Sequence, residues 1–212
     1  MSPEVARYDP ARDRATWDAF VATSRNGTFL FDRAYMDYHA DRFRDASLVV
    51  REGGRPTALL PAERAGDVVR SHGGLSYGGL VVGDKARCAP VLAWLEGVLA
   101  HLRADGVRRL VYKTVPAIYH RLPAEEDRYA LFRLGARLVR RDVLSAIPPG
   151  ARGPLTKGRR HALARARRRD DVAVSPSGDW AAFLKILTER LSDLHCVAPT
   201  HALDEIRRLT AA

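Results

Sequence analysis

Cysteine is nearly absent. Cys88 and Cys196 are the only two in 212 residues, too few for a disulfide framework and not spaced as metal ligands, so no metal site is expected. No apolar run reaches the roughly 18 residues that a membrane-spanning helix needs. The first turns of sequence hold Glu4, Arg7, Asp9, Arg12, Asp13 and Arg14 and lack the apolar stretch of a secretory signal. Lysine is scarce as well, confined to Lys85, Lys113, Lys157 and Lys185. These absences argue against a disulfide-stapled secreted domain and a helical membrane protein, and a reducing cytoplasm is the expected location.

What is present is a 46% apolar chain with a net charge of +10, carried almost wholly by arginine. Its length suits one large domain or two small ones. The charge is uneven. Between Ala151 and Asp170 stand eight basic residues and one acid, and a local basic stripe is better evidence of an anionic partner than a diffuse excess.

Hydrophobic periodicity supplies the expected elements. Trp17, Phe20 and Val21 mark a helix over 11–23, and Ser24 to Gly27 holds an Asn-Gly turn. Thr28 to Phe31 reads as a short extended piece, and Asp32 as the cap of a helix carrying Tyr35, Tyr38 and His39. The runs Ala46 to Glu52 and Arg55 to Glu63, joined by Gly53-Gly54, predict a hairpin, with further strands at Val68 to Arg70 and Leu80 to Val82. Between these last two lies SHGGLSYGG, a glycine-rich loop whose functional handles are His72 and Tyr77. Ala86 to Ala104 reads as a long helix stopped by Gly106. Asp127 to Leu134 reads as a short helix, Leu138 to Ile147 as a strand, and Val172 to Val174 as another short one. Helices are expected over 155–169, from Trp180 to Leu194 behind Asp179, and from about His201 onward. The alternation of strands and helices around a hairpin makes this an α/β chain with a mixed sheet flanked by helices.

Chemistry gathers after the apolar strand Leu110, Val111, Tyr112. Lys113, Tyr119, His120, Glu125, Glu126 and Asp127 follow it within one loop, and open α/β sheets bind ligands beyond the carboxyl ends of their strands. Capping of the loop and of the next helix is the structural alternative for the same residues. In the basic segment, helical spacing places Arg159 in the middle of an apolar side formed by Leu155, Ala162, Leu163 and Ala166. A guanidinium there requires either a carboxylate or a bound anion.

The stretches TFLFDRAYMDYHADRF, SHGGLSYGGLVV, YKTVPAIYHRLPAEED and KGRRHALARARR resemble Fem-type proteins of the GNAT acyltransferase superfamily, over nearly the whole chain. That resemblance implies a GNAT-like first domain over 1–150 and, over 151–212, the basic helix and opening helices of a second. It implies N-acyl transfer onto a cell-envelope precursor or other amine acceptor, with acyl-CoA (acetyl-CoA) or aminoacyl-tRNA as donor. The acceptor would be anionic or sugar-containing, and tRNA a possible partner. His120 and Glu126 are the candidate bases, with Lys113, Tyr119, Tyr77, His72, His39 and Arg159 as candidate acceptor contacts. The R/Q-x-x-G-x-G/A pattern that binds pyrophosphate in acetyltransferases is absent, and the alternative expectation is a non-catalytic module that binds an acceptor or polyanion and lacks a donor half. Leu203, Ile206 and Leu209 form an apolar face that suggests a homodimer through the C-terminal helices.

Overall fold

The structure is a computed structural model that describes residues 3–38, 40–71, 73–169 and 171–210. The chain divides after Leu144 into two compact units.

The first unit is built on two small sheets. One is antiparallel, ordered β1-β2-β3-β6, where β1 is Glu4–Arg7, β2 Leu48–Glu52, β3 Arg55–Leu60 and β6 Val81–Val82. The other is ordered β4-β5-β7, from Glu63–Ala65, Val68–Arg70 and Arg109–Val111, and its β5–β7 pair is parallel. The α/β class with a mixed sheet is therefore realised, and the Gly53-Gly54 hairpin joins β2 to β3 as its sequence predicts.

Strand alternation distributes the core to two faces. Leu48, Val50, Ala58, Leu60 and Val82 point to one side, where they meet α3 (Cys88–Ala104) through Val91, Leu95 and Val98. Val49, Leu59 and Val81 point to the other, where Trp17 and Val21 of α1 (Pro10–Thr23) and Phe31 cover them. Both faces of this antiparallel sheet are buried, which is why its strands read as unbroken apolar runs and not as an apolar/polar alternation. Trp17 finds a partner for its indole N–H in the Phe31 carbonyl at 2.7 Å, as a buried tryptophan must.

Several expectations are corrected. β1 carries no strand signature that stood out in the sequence, yet it pairs with β2 along four residues. Phe29–Phe31 is a 3-10 turn and not an extended piece. The following helix α2 is short, Arg33–Asp37, and Asp32 starts it through its backbone carbonyl, which accepts from Tyr35 and Met36 N–H, and not through its side chain. Leu138 to Ile147 forms no strand, and neither does Val172 to Val174. β-branched residues supply the propensity, but a strand exists only where a neighbour completes its ladder. The helix after β7 is α4, Glu126–Arg133, packed on α3.

The second unit holds α5 (Lys157–Arg167), α6 (Trp180–His195) and α7 (Leu203–Thr210), of which α6 and α7 touch. Asp179 caps α6 by accepting from Ala182 N–H at 3.0 Å. Arg159 is exposed, with no side-chain ion pair among the described residues, so the expected burial of its guanidinium does not occur. α5 is exposed along its whole length, and among the described residues no buried cluster meets its apolar side.

Candidate functional site

The parallel pair β5–β7 sets the site. Its two strands end at the same edge, so the loops after them, 71–80 and 112–125, converge, as polar loops do at the carboxyl ends of parallel strands. Ser71 Oγ accepts the Lys113 N–H at 2.9 Å, and the Tyr112 hydroxyl accepts the Leu80 N–H at 2.6 Å. Gly79 lies between the loops at φ +93°, where a Cβ would stand 3.0 Å from the Tyr112 ring and the Lys113 carbonyl. Only glycine meets both demands.

A third loop, 24–28, closes the group. Asn26 is buried. Its amide donates to the Leu80 carbonyl at 2.9 Å, and its side-chain oxygen accepts the Val82 N–H at 2.9 Å. One side chain thus takes the place of a neighbouring strand along β6, so the predicted Asn-Gly turn is an anchoring element. Beside it the Arg25 guanidinium donates to Glu126 Oε1 at 2.9 Å and to the Ala86 carbonyl at 3.2 Å. Arg121 fastens the site loop from the other side, donating to the Ser24 and Thr23 carbonyls and to Asp84.

Within this frame Tyr77 and Tyr119 stack, with centroids 5.0 Å apart and planes 25° from parallel. Tyr77 is buried, its hydroxyl bonded to Thr28 Oγ1 at 3.1 Å, and burial pushes its phenol up. Tyr119 remains 48% exposed, as the outer ring of that stack. Lys113 is also exposed.

His120 and Glu126 share an unusual property. His120 Nε2 lies 3.2 Å from the Val115 carbonyl. A carbonyl oxygen can only accept, so Nε2 carries a proton, and in the neutral imidazole the lone pair is then on Nδ1. That Nδ1 is buried and has no hydrogen-bond partner among the described residues, and the same holds for Glu126 Oε2. Buried polar atoms without partners are rare in folded proteins and mark either stored cost or a role toward a ligand. Asp127 lies beneath, accepting from the Tyr112 hydroxyl at 2.7 Å. Burial holds its carboxyl above the ordinary range, against the lowering effects of Tyr112, the Arg128 N–H and the nearby His120. Burial, and then the charge of Asp127, push the Tyr112 phenol well up.

Of the residues chosen from sequence, Lys113, Tyr119, His120 and Tyr77 are carried by these converging loops, and Glu126 is the first residue of α4, directly after them. His39 and His72 lie outside the described residues, and Arg159 belongs to the second unit. Sequence reasoning missed Arg25 and the anchoring roles of Tyr112 and Asn26. The Asn-Gly pair flagged the right loop, but nothing local shows that its neighbours reach residues sixty to a hundred positions away. Among the described residues, no three His, Cys, Asp or Glu side chains gather as metal ligands, and no helix is long and apolar enough to cross a membrane.

No protein-family model and no curated protein matches the chain. Among solved structures it is similar to the ribosomal-protein-S18-alanine N-acetyltransferase from Escherichia coli, with a TM-score of 0.37 and 14% identity over 50% of this chain. It spans 62% of that protein.

Proposed function

We propose that the chain is a GNAT-type, Fem-like N-acyltransferase acting on an amine of a cell-envelope precursor, with acyl-CoA or aminoacyl-tRNA as donor. The observation that carries this reading is the pair of unpartnered, water-shielded acceptor atoms, His120 Nδ1 and Glu126 Oε2, at the carboxyl ends of a parallel strand pair. Acyl transfer from an activated carbonyl to an amine needs a group that takes the proton the attacking nitrogen sheds. His120 is suited to this because the Val115 carbonyl holds its tautomer with the Nδ1 lone pair available. Glu126, tied through its other oxygen to Arg25, is the second candidate and keeps a fixed direction. The Tyr77–Tyr119 stack and the exposed Lys113 amine give the acceptor an apolar surface and a cation. Lys85 and Arg87 are exposed beside the start of α3, whose first turn lacks a side-chain cap, and there the donor's phosphates would find both cations and free N–H groups. The donor supplies the activated carbonyl; binding, orientation and proton removal belong to the chain.

The test is calorimetric titration of the purified chain with acetyl-CoA, followed by thiol release in the presence of amine acceptors that include a nucleotide-linked muropeptide. Saturable binding and turnover that fall at least tenfold in His120→Ala or Glu126→Gln support the reading. Absence of both binding and turnover across the panel overturns it.

A second reading is favoured by one separate observation: the five lysine and arginine side chains of α5 are exposed and have no ion pair among the described residues. On that reading the chain is a non-catalytic module that holds a polyanion, with affinity set by phosphate neutralisation and steeply dependent on salt.

A further inference from the structure

The two acceptor atoms of the site, His120 Nδ1 and Glu126 Oε2, are both shielded from solvent. An amine has to touch them to give up its proton, so the ligand-free site is closed and part of its wall has to move.

One part of that wall is built differently from the rest. Val115 and Ala124 are buried, one in each of the two apolar clusters of the unit, and Pro116 and Pro123 stand immediately inside them. Between the prolines run residues 117–122, a single 3-10 turn, Ala117–Tyr119, followed by a bend. None of their side chains belongs to a buried cluster among the described residues. By contrast Glu126 stands on α4, and Tyr77 is buried. Anchored ends, flanks whose φ proline restricts, and a middle without core contacts are the features of a segment that opens by itself while the core stays folded.

The fastening of this segment is concentrated in one residue. Arg121 gives its backbone N–H to the Arg25 carbonyl at 2.8 Å, and its guanidinium donates to the Ser24 carbonyl at 3.1 Å, to the Thr23 carbonyl and to Asp84 Oδ1 at 3.0 Å. Beside it, the Leu122 N–H reaches the same Arg25 carbonyl at 3.2 Å and the Tyr119 ring lies on Tyr77. The side chains of Arg121 and Asp84 are both more than half exposed, and ion pairs in solvent contribute little.

We infer that residues 117–122 form a lid latched by Arg121, whose opening admits the acceptor to the buried lone pairs and whose closure restores the site. His120 rides on the lid. When the lid is shut, the Val115 carbonyl, which lies outside it, holds the imidazole in place; when it is open, that bond is broken. The base is thus set only after the lid has closed over the acceptor and excluded water. This use of the motion rests on the acyl-transfer reading, whereas the motion itself does not.

The test needs no substrate. Native-state amide exchange compares Arg121 and Leu122 with Val98, which is buried in the middle of α3. The lid amides are expected to exchange by local opening, about tenfold or more faster than Val98 and without response to low urea, while Val98 exchanges through global unfolding. Diethyl pyrocarbonate labelling, read at His120 by peptide mass, reports access to Nδ1. Arg121→Ala removes three hydrogen bonds from a half-exposed side chain, so it speeds that labelling about tenfold with the circular dichroism unchanged. Arg121→Lys, which keeps the charge and loses the fork, falls between. Lid amides as slow as Val98, or His120 labelling that Arg121→Ala leaves unchanged, overturn the inference; the exchange measurement uses the parent chain and decides even where a variant fails to fold. A lid that opens on a chain that transfers no acyl group overturns the acyl-transfer reading and leaves the lid standing.

Discussion

The Tyr112 hydroxyl donates to Asp127 at 2.7 Å and accepts from the Leu80 N–H at 2.6 Å, joining β7, the start of α4 and the glycine-rich loop through a single oxygen. With a carboxylate on one side and a backbone donor on the other, that oxygen is fully used. Tyr112 is therefore a structural anchor of the site, and the reacting groups are to be sought around it.

Tyr112→Phe keeps the ring and removes the oxygen, leaving the Leu80 N–H and Asp127 without their partner. The expected loss is about 1–3 kcal/mol of stability, the cost of buried groups left unsatisfied. Urea denaturation of the two proteins measures it, and an unchanged midpoint would contradict the anchoring role.

Asp127 also makes a pH prediction. Its folded-state pKa is raised above the ordinary 3.8, so the folded chain binds this proton more tightly than the unfolded one. Its contribution to stability thus falls as pH rises from about 3.8 to the raised value and is flat above it. Asp127→Asn abolishes that decline, as denaturation midpoints measured across the acid range will show.

Asp13 carries the opposite sign. Buried, it accepts from Arg12 Nε at 2.8 Å, Arg51 Nη2 at 2.7 Å and the Asp9 N–H at 3.0 Å, and these hold its carboxyl below the ordinary range. Its stabilisation is present above the unfolded pKa and is lost as pH falls through the lowered folded value. Asp13→Ala removes it and strands the largely buried Arg51, at a cost of roughly 3–5 kcal/mol in thermal or urea melts at neutral pH.

These groups differ in how visible they are from sequence. The helix at Cys88–Ala104 and the hairpin at Gly53-Gly54 are local facts, set by spacing and turn chemistry, and both are legible. The segment after Gly135 is not, because its β-branched residues describe a strand while no neighbouring strand among the described residues completes a ladder with it. Arg159 shows the same limit: helical geometry gives it an apolar side, but among the described residues no buried cluster packs against that side. The crowd of polar residues from Lys113 to Asp127 is legible as a cluster. The role of each member depends on Arg25, Ser71 and Leu80, which only the tertiary fold brings near.

Gly79→Ala tests the convergence of the loops. A positive φ and a Cβ 3.0 Å from the Tyr112 ring both oppose it, so about 1–3 kcal/mol is lost. The Tyr112 near-ultraviolet signal should change with it, whereas the same substitution at Gly158, with nothing within 4 Å, should not alter that signal.

For α5 the discriminating quantity is a slope. If polyanion binding occurs, Arg160→Ala with Arg167→Ala reduces the dependence of log affinity on log salt by about 1 to 2 for a labelled RNA. Binding that depends on Arg159 alone, with little salt dependence, points to one phosphate in a pocket.

Asn26-Gly27 is the dipeptide most prone to spontaneous deamidation, since the glycine N–H can attack the side-chain amide through a cyclic imide. In the folded chain that amide is bonded on both its nitrogen and its oxygen, and a Cβ at Gly27 would collide with Ser24 Oγ and the Val21 carbonyl, so the fragile pair is kept and guarded. Conversion to aspartate would replace the donor facing the Leu80 carbonyl with a negative oxygen and detach the loop from β6. The rate at which this residue ages is therefore a clock for opening of the loop: slow while β6 is capped, and fast in any state that lets Asn26 swing free.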